Sequence, residues 1–376
     1  MKKAGLLLIL SAFCTLANAQ EMQYGIKDTF NYTPIKGLVE YYKYVDTAEM
    51  KVVEGKPDES VSYYLKAFQY KEVPFSIDIN RALTLTLKSK PDTNLIILCM
   101  IKTYKYNNYF DNPDSLIYNW RKNFSTIDSS FFKRMKFVLD TVKRLNVEYK
   151  EVIEAVDSMS KADREARIPI DYAKMKRVDT LNLNRLMKLY KKYGNITENN
   201  SSFNTLTYIN MILFHNHQVN RIPIWYQTML NQVMNGSYPA RLFMDLMTDY
   251  YHDEYDKEGV FGHYQGIALV DKYVITKLTP SEEKKVNQLR AKFMIEPYMD
   301  EQKKLVWEFY HPHYEYNQFY FYIFHMIFDP IEVSTPEEIK KDKVIQDKKI
   351  NELKAKFGKN VLIIDKEPTN YDFDIK

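Results

Sequence analysis

All seven histidines of the chain fall at or after His215, so any site that needs an imidazole must be built in the second half. His215 and His217 look like a metal-binding pair, but residues two apart on a helix point about 200° from one another. They can share an ion only on a strand. His215 falls on the Tyr208–Ile212–Val219 stripe and His217 on the Leu206–Asn210–Leu213 stripe. His215 therefore reads as a half-buried ring that is hydrogen-bonded or closes a helix end, with a functional role as the competing reading. Asp249, His252, Asp253 and Asp256 are spaced i, i+3, i+4 and i+7, which gathers three carboxylates and an imidazole on one helix face. That face offers donors for a divalent cation, or acid–base chemistry if His215 or His263 is brought near. The plainer reading is a solvated, charged helix end. His311 and His313 flank Pro312 among aromatic residues and read as packing and hydrogen bonding.

Other polar spacings have structural readings as well. Asp163 and Arg167 are four apart, the spacing of an intrahelical ion pair worth roughly 0.2–0.5 kcal/mol. Asp179 and Asn182 read as caps for a helix over 184–192. The chain has no H-E-x-x-H, G-x-S-x-G, phosphate-cradling glycine loop, C-x-x-C or EF-hand loop.

These residues must be positioned by helices. Against 31 Tyr and 21 Phe there are only 10 Gly, a balance that suits helices better than tight-turned sheets. Lys56-Pro57-Asp58 recurs as Lys90-Pro91-Asp92, thirty-four residues on. The same offset places Val45 on Ile79, Ala48 on Ala82, Val53 on Leu87, Val61 on Leu95, Tyr64 on Leu98 and Leu65 on Cys99. Each proline stands where a helix can begin, since the first turn has no use for its missing N–H. Length and layout resemble tetratricopeptide repeats over about 38–106. A third start at Asn112-Pro113-Asp114-Ser115 breaks the period. Phe131, Met135, Val138, Leu139 and Val142 share one helix face, as do Leu145, Tyr149, Val152 and Ile153. Thr279-Pro280-Ser281-Glu282 and Thr335-Pro336-Glu337-Glu338 fit capping boxes. The second opens a charged helix expected to stop at Gly358, and Val361–Ile364 reads as a short strand. That tail helix has few apolar positions and reads as a solvated appendage or a partner-binding element.

Across 162–298 the motifs fall in a recognisable order. Asp163 and Arg167 come first, then Asp179-Thr180-Leu181-Asn182, Gly194, His215 after an apolar run, and Gly236. Phe261-Gly262-His263-Tyr264-Gln265 and Asn287-Gln288-Leu289-Arg290 close the series. This order resembles an uncharacterised family of bacterial proteins, many of them secreted and many from Bacteroidota-like lineages. Three features depart from it. Asp249-Tyr250 stands where an Asp-Arg pair is expected, His263 replaces a threonine, and the proline of the Gly194 turn is absent. The resemblance brings no activity, because the family has none assigned. It singles out His215, His263, Asp179 and Arg167 as candidate catalytic residues, beside the candidate metal set Asp249, His252, Asp253 and Asp256.

Lys2 and Lys3, the apolar segment Ala4–Leu16 and Ala17-Asn18-Ala19 have the layout of a secretory signal cleaved before Gln20. Phe13 ahead of Cys14 argues against lipoprotein processing. Loss of Lys2 and Lys3 lowers the formal charge from +4 to +2, too little clustered basic charge for nucleic acid to be a major partner. Cys99 is then the one remaining cysteine, so no intramolecular disulfide forms, and its apolar surroundings read as a buried structural thiol. No transmembrane helix is expected beyond the signal, since Phe319–Phe328 is too short and contains His325.

The expected organisation is mainly α with few short strands. A signal over 1–19 and a leader over 20–37 precede tetratricopeptide-like helical hairpins over 38–154. These pack on a second helical domain over 155–300, followed by an aromatic-rich segment over 301–333 and a charged helical tail over 334–376. The expected function is binding or scaffolding of a protein or peptide in the periplasm or at the cell surface, with no cofactor. The alternative is a metal-assisted hydrolase with a His/Asp site in the second domain.

Overall fold

Leu38, Tyr41, Val45, Ala48 and Val52 recur at intervals of three and four, and they form the buried face of the first helix, α1 (Leu38–Val53). The computed structural model describes residues 33–87, 92–106, 112–123, 127–142, 150–168, 171–198, 200–215, 225–255, 266–268, 272–310 and 336–365. Fourteen α-helices and three short strands make up these residues, so the fold is mainly α. The signal reading of 1–19 lies outside them.

After α1 come α2 (Pro57–Ala67), α3 (Ser76–Leu87) and α4 (Thr93–Tyr106), each packed on the one before it. Lys90 and Pro91 of the repeated signature lie outside the described residues, and burial can be compared at positions thirty-four apart in α1 and before and within α3. Tyr41, Val45, Ala48, Glu49 and Val52 of α1 and its partners Phe75, Ile79, Ala82, Leu83 and Thr86 are all buried. Between α2 and α4 the matching buried positions are one residue further apart. Ser60, Tyr64 and Ala67 correspond in burial to Leu95, Cys99 and Lys102, an offset of thirty-five. The helix starts differ too. Pro57 opens α2, whereas α4 is capped by Asp92, whose Oδ1 accepts from the N–H groups of Asn94 and Leu95. Cys99 is buried against the Ile79 carbonyl, and burial pushes its thiol far above the usual range.

Next come α5 (Pro113–Asn123), opened by Asn112 accepting from Ser115 N–H, and α6 (Ser129–Thr141), capped by Asp128. Phe131, Phe132, Met135 and Leu139 of α6 are buried, with Val138 and Val142 packed at the margin. Then α7 (Lys150–Arg167) packs on α8 (Tyr172–Tyr193), and α9 (Phe203–Phe214) lies on both and on α11 (Ala240–Tyr255). Leu145 and Tyr149 lie outside the described residues; Val152 is buried on α7. Between α9 and α11 runs α10 (Tyr226–Met234), followed by Gly236 at φ 71°, where a Cβ would stand 3.1 Å from Leu38 Cδ1.

Strands β1 (Gly266–Ala268) and β2 (Lys272–Thr276) form an antiparallel pair. The Thr279 capping box opens α12 (Pro280–Lys292), and α13 (Tyr298–Tyr310) returns to pack on α1. The charged helix α14 (Pro336–Phe357) stops at Gly358 in the left-handed region. Strand β3 (Val361–Asp365) then joins β2, Thr276 opposite Val361 and Lys272 opposite Asp365. The tail helix is thereby attached to the body. Its Ile350 and Leu353 bury against Val274.

One contiguous apolar cluster extends from Leu38 to Leu305 and takes in helices of both halves. Each fully buried large apolar side chain in it contributes about 1.5–3 kcal/mol. No helix among the described residues is long and apolar enough to cross a membrane.

Candidate functional site

Val152, Val156, Met159, Ser160, Asp163 and Ala166 form the buried stripe of α7, and one of the six carries a charge. Asp163 is 1% exposed, so its carboxylate needs partners close at hand. Arg167, one turn on, donates from Nη1 to Asp163 Oδ1 at 2.7 Å. His215 places Nδ1 3.0 Å from the same oxygen. Asp163 Oδ2 is buried and has no hydrogen-bond partner among the described residues.

His215 reaches this position as the C-cap of α9, its backbone N–H bonded to the Met211 carbonyl and its ring edge-on to Phe214. The ring is half-buried, with its side chain 18% exposed. Asp179 comes from the middle of α8 and accepts from Arg167 Nη2 at 3.0 Å. Burial raises the Asp179 carboxyl above its ordinary range, against the opposing pull of Arg167 and His215.

The capping reading of Asp179 and Asn182 is corrected here. Helix α8 begins at Tyr172, where Asp171 accepts from Lys174 N–H, so both residues are mid-helix. Their polar atoms serve tertiary contacts instead. Asn182 Nδ2 donates to the Met159 carbonyl and ties α8 to α7.

Three of the four candidate catalytic residues, Arg167, Asp179 and His215, thus meet at one point with Asp163 beneath them. His263 and Asp256 lie outside the described residues. Asp249, His252 and Asp253 fall in the last turns of α11. Asp163 is visible in the sequence as the partner of Arg167 and as the first of the ordered motifs; its link to His215, fifty-two residues away, is not. The usable signal is the apolar period of α7, which puts an aspartate where an apolar residue is expected.

Among the described residues, two groups of acidic or imidazole side chains stand close enough to share a cation, Asp163/Asp179/His215 and Asp46/Glu49/Glu296. In each a side chain of the protein already supplies positive charge. Arg167 bridges the first pair of carboxylates. In the second, Lys304 Nζ is 2.5 Å from Asp46, 2.7 Å from Glu49 and 3.4 Å from Glu296. A divalent ion would have to displace these cations or endure their repulsion.

Chemically, the first cluster is a carboxylate–imidazole pair. In the tautomer that carries its hydrogen on Nδ1, His215 donates to Asp163 and Nε2 is the acceptor nitrogen of the ring. Comparison of the chain with protein-family models, with curated proteins and with solved structures finds no match.

Proposed function

We propose that the protein performs acid–base chemistry of hydrolytic type at the Asp163–His215 pair, with Arg167 rather than a metal ion balancing the carboxylates of Asp163 and Asp179. The observation that carries this reading is the 3.0 Å contact between a fully buried carboxylate and the Nδ1 of a half-buried imidazole. In this reading Asp163 fixes the orientation of the ring while Nε2 exchanges a proton with the substrate. A screen of nitrophenyl esters, phosphates and glycosides tests it. His215→Gln should lower the turnover of whichever class reacts by about 10²–10⁴. Unchanged turnover in that variant removes the proposal.

The second reading, a protein- or peptide-binding scaffold, draws on α1–α4. Tyr41 on α1 bonds Asp78 on α3, and Glu49 on α1 pairs with Arg81 on α3, so alternate helices are joined as in stacked hairpins resembling tetratricopeptide repeats. Tyr118 and Phe137, 76% and 75% exposed on the next two helices, give such a surface aromatic contact area. Turnover of none of the screened substrates, with binding lost in Tyr118→Ser/Phe137→Ser, selects this reading. Export is part of the proposal. Recovery of a chain beginning at Gln20 from outside the cytosol is the expected result.

A further inference from the structure

We propose that Asp163, Asp179 and His215 form a zinc site in which the ion takes the place of the Arg167 guanidinium. The ligand atoms of these three side chains already lie within 4.8 Å of one another. His215 Nδ1 and Asp163 Oδ1 are 3.0 Å apart. Two donors about 2.0 Å from one tetrahedral zinc stand about 3.3 Å from each other, so that pair needs little movement. Two carboxylates and one imidazole are donors that zinc accepts, and they leave a fourth position open.

One atom of the cluster is left unexplained by the arginine. Arg167 and His215 both contact Oδ1 of Asp163. Oδ2 of the same carboxylate, whose side chain is 2% exposed, has no hydrogen-bond partner among the described residues. A buried anionic oxygen without a partner is costly. A ligating carboxylate can use either oxygen, so Oδ2 is a donor that neither Arg167 nor His215 occupies.

Arg167 Nη1 is 2.7 Å from Asp163 and Nη2 is 3.0 Å from Asp179, so the guanidinium stands where an ion would bridge the two. It brings one positive charge to two carboxylates, where zinc brings two. Its side chain is 21% exposed and comes from the last residue of α7, so it can swing out and exchange its bonds for water. Lys304, the cation among Asp46, Glu49 and Glu296, is 0% exposed and has no such exit. That contrast selects the first cluster over the second. Zinc requires the His215 tautomer with its hydrogen on Nε2, so that the Nδ1 lone pair faces the ion. In the acid–base reading proposed above, on which this consequence rests, zinc replaces the Asp163–His215 hydrogen bond and is an inhibitor.

The test titrates zinc chloride into the tag-free full chain by calorimetry, with no substrate present. One ion per chain should bind, with affinity about tenfold or more weaker in His215→Gln and in Asp179→Asn. Arg167→Met removes the competing cation and should bind zinc about tenfold more tightly. Unchanged or weaker binding in Arg167→Met overturns the proposal, as does equal affinity in His215→Gln or no binding to the unmodified protein. If the variants fail to fold, zinc-edge X-ray absorption of the unmodified protein decides. One imidazole among oxygen ligands at about 2.0–2.2 Å supports the site, and two or more imidazoles overturn it. Because no turnover is read, a substrate screen that fails leaves the zinc result standing.

Discussion

Asp163 is a single buried carboxylate on which a side chain from its own helix and one from another helix converge. Hydrogen bonds to charged groups contribute about 1.5–3 kcal/mol each, more than neutral ones. Asp163→Asn preserves the shape but removes the charge that Arg167 and His215 face. We expect a loss of about 1.5–3 kcal/mol in urea unfolding. Asp157→Asn, on the exposed side of the same helix, should change stability by less than about 0.5 kcal/mol. Equal effects at the two positions would mean that Asp163 is not a keystone of the cluster. Sequence spacing was enough to pair Asp163 with Arg167, because both ends of that contact lie on one helical turn. It placed His215 at a helix end and half-buried. What it could not reach was their junction, which depends on α9 crossing α7, a tertiary fact with no local trace.

At the scale of elements, legibility followed the range of the interaction. The Thr279 capping box, the stop at Gly358 and the buried face of α6 rest on contacts within a few residues and were readable. The start of α8 was misread because Asp179 and Asn182 resemble caps, while the working cap, Asp171, stands eight residues earlier. Asp171→Ala should therefore destabilise the protein by about 1 kcal/mol in denaturant unfolding. Truncating Asn182 should act by a different route, through the lost bond to the Met159 carbonyl. Gly236→Ala tests a second element boundary. Its positive φ and the 3.1 Å approach of Leu38 make a methyl group costly, and a loss of about 1–2 kcal/mol is expected. The sparse apolar positions of the tail helix suggest a solvated appendage or a partner-binding element. Those positions, Ile350 and Leu353, suffice once β3 pairs with β2 and offers them Val274.

Across the whole molecule, a buried charge network centred on Glu49 binds the first helices to the last ones. Glu49 on α1 takes Arg81 of α3 at 2.6 Å, Arg241 of α11 at 2.6 Å and Lys304 of α13 at 2.7 Å. Glu296 joins Arg241 at 2.9 Å. The partners of Glu49 lie up to 255 residues away, which is why a helix-by-helix reading of α1 gave no sign of them. Burial alone would raise the Glu49 carboxyl, but Arg241, Lys304 and Arg81 outweigh it and hold it at about 2. The folded value lies below the usual 4.5 or so of the unfolded chain. Glu49 therefore contributes stability that is complete above about pH 4.5 and is lost as pH falls towards 2, an effect of about 3 kcal/mol. Glu296 is lowered in the same sense, while burial raises Asp46 and gives it the opposite sign. Glu49→Gln would leave three cations facing one fewer carboxylate and should destabilise the fold by about 3–5 kcal/mol at neutral pH. Its urea midpoint should then fall less steeply than that of the unmodified protein between pH 4.5 and 2. Identical slopes in that window would show that the acid sensitivity arises elsewhere than at Glu49.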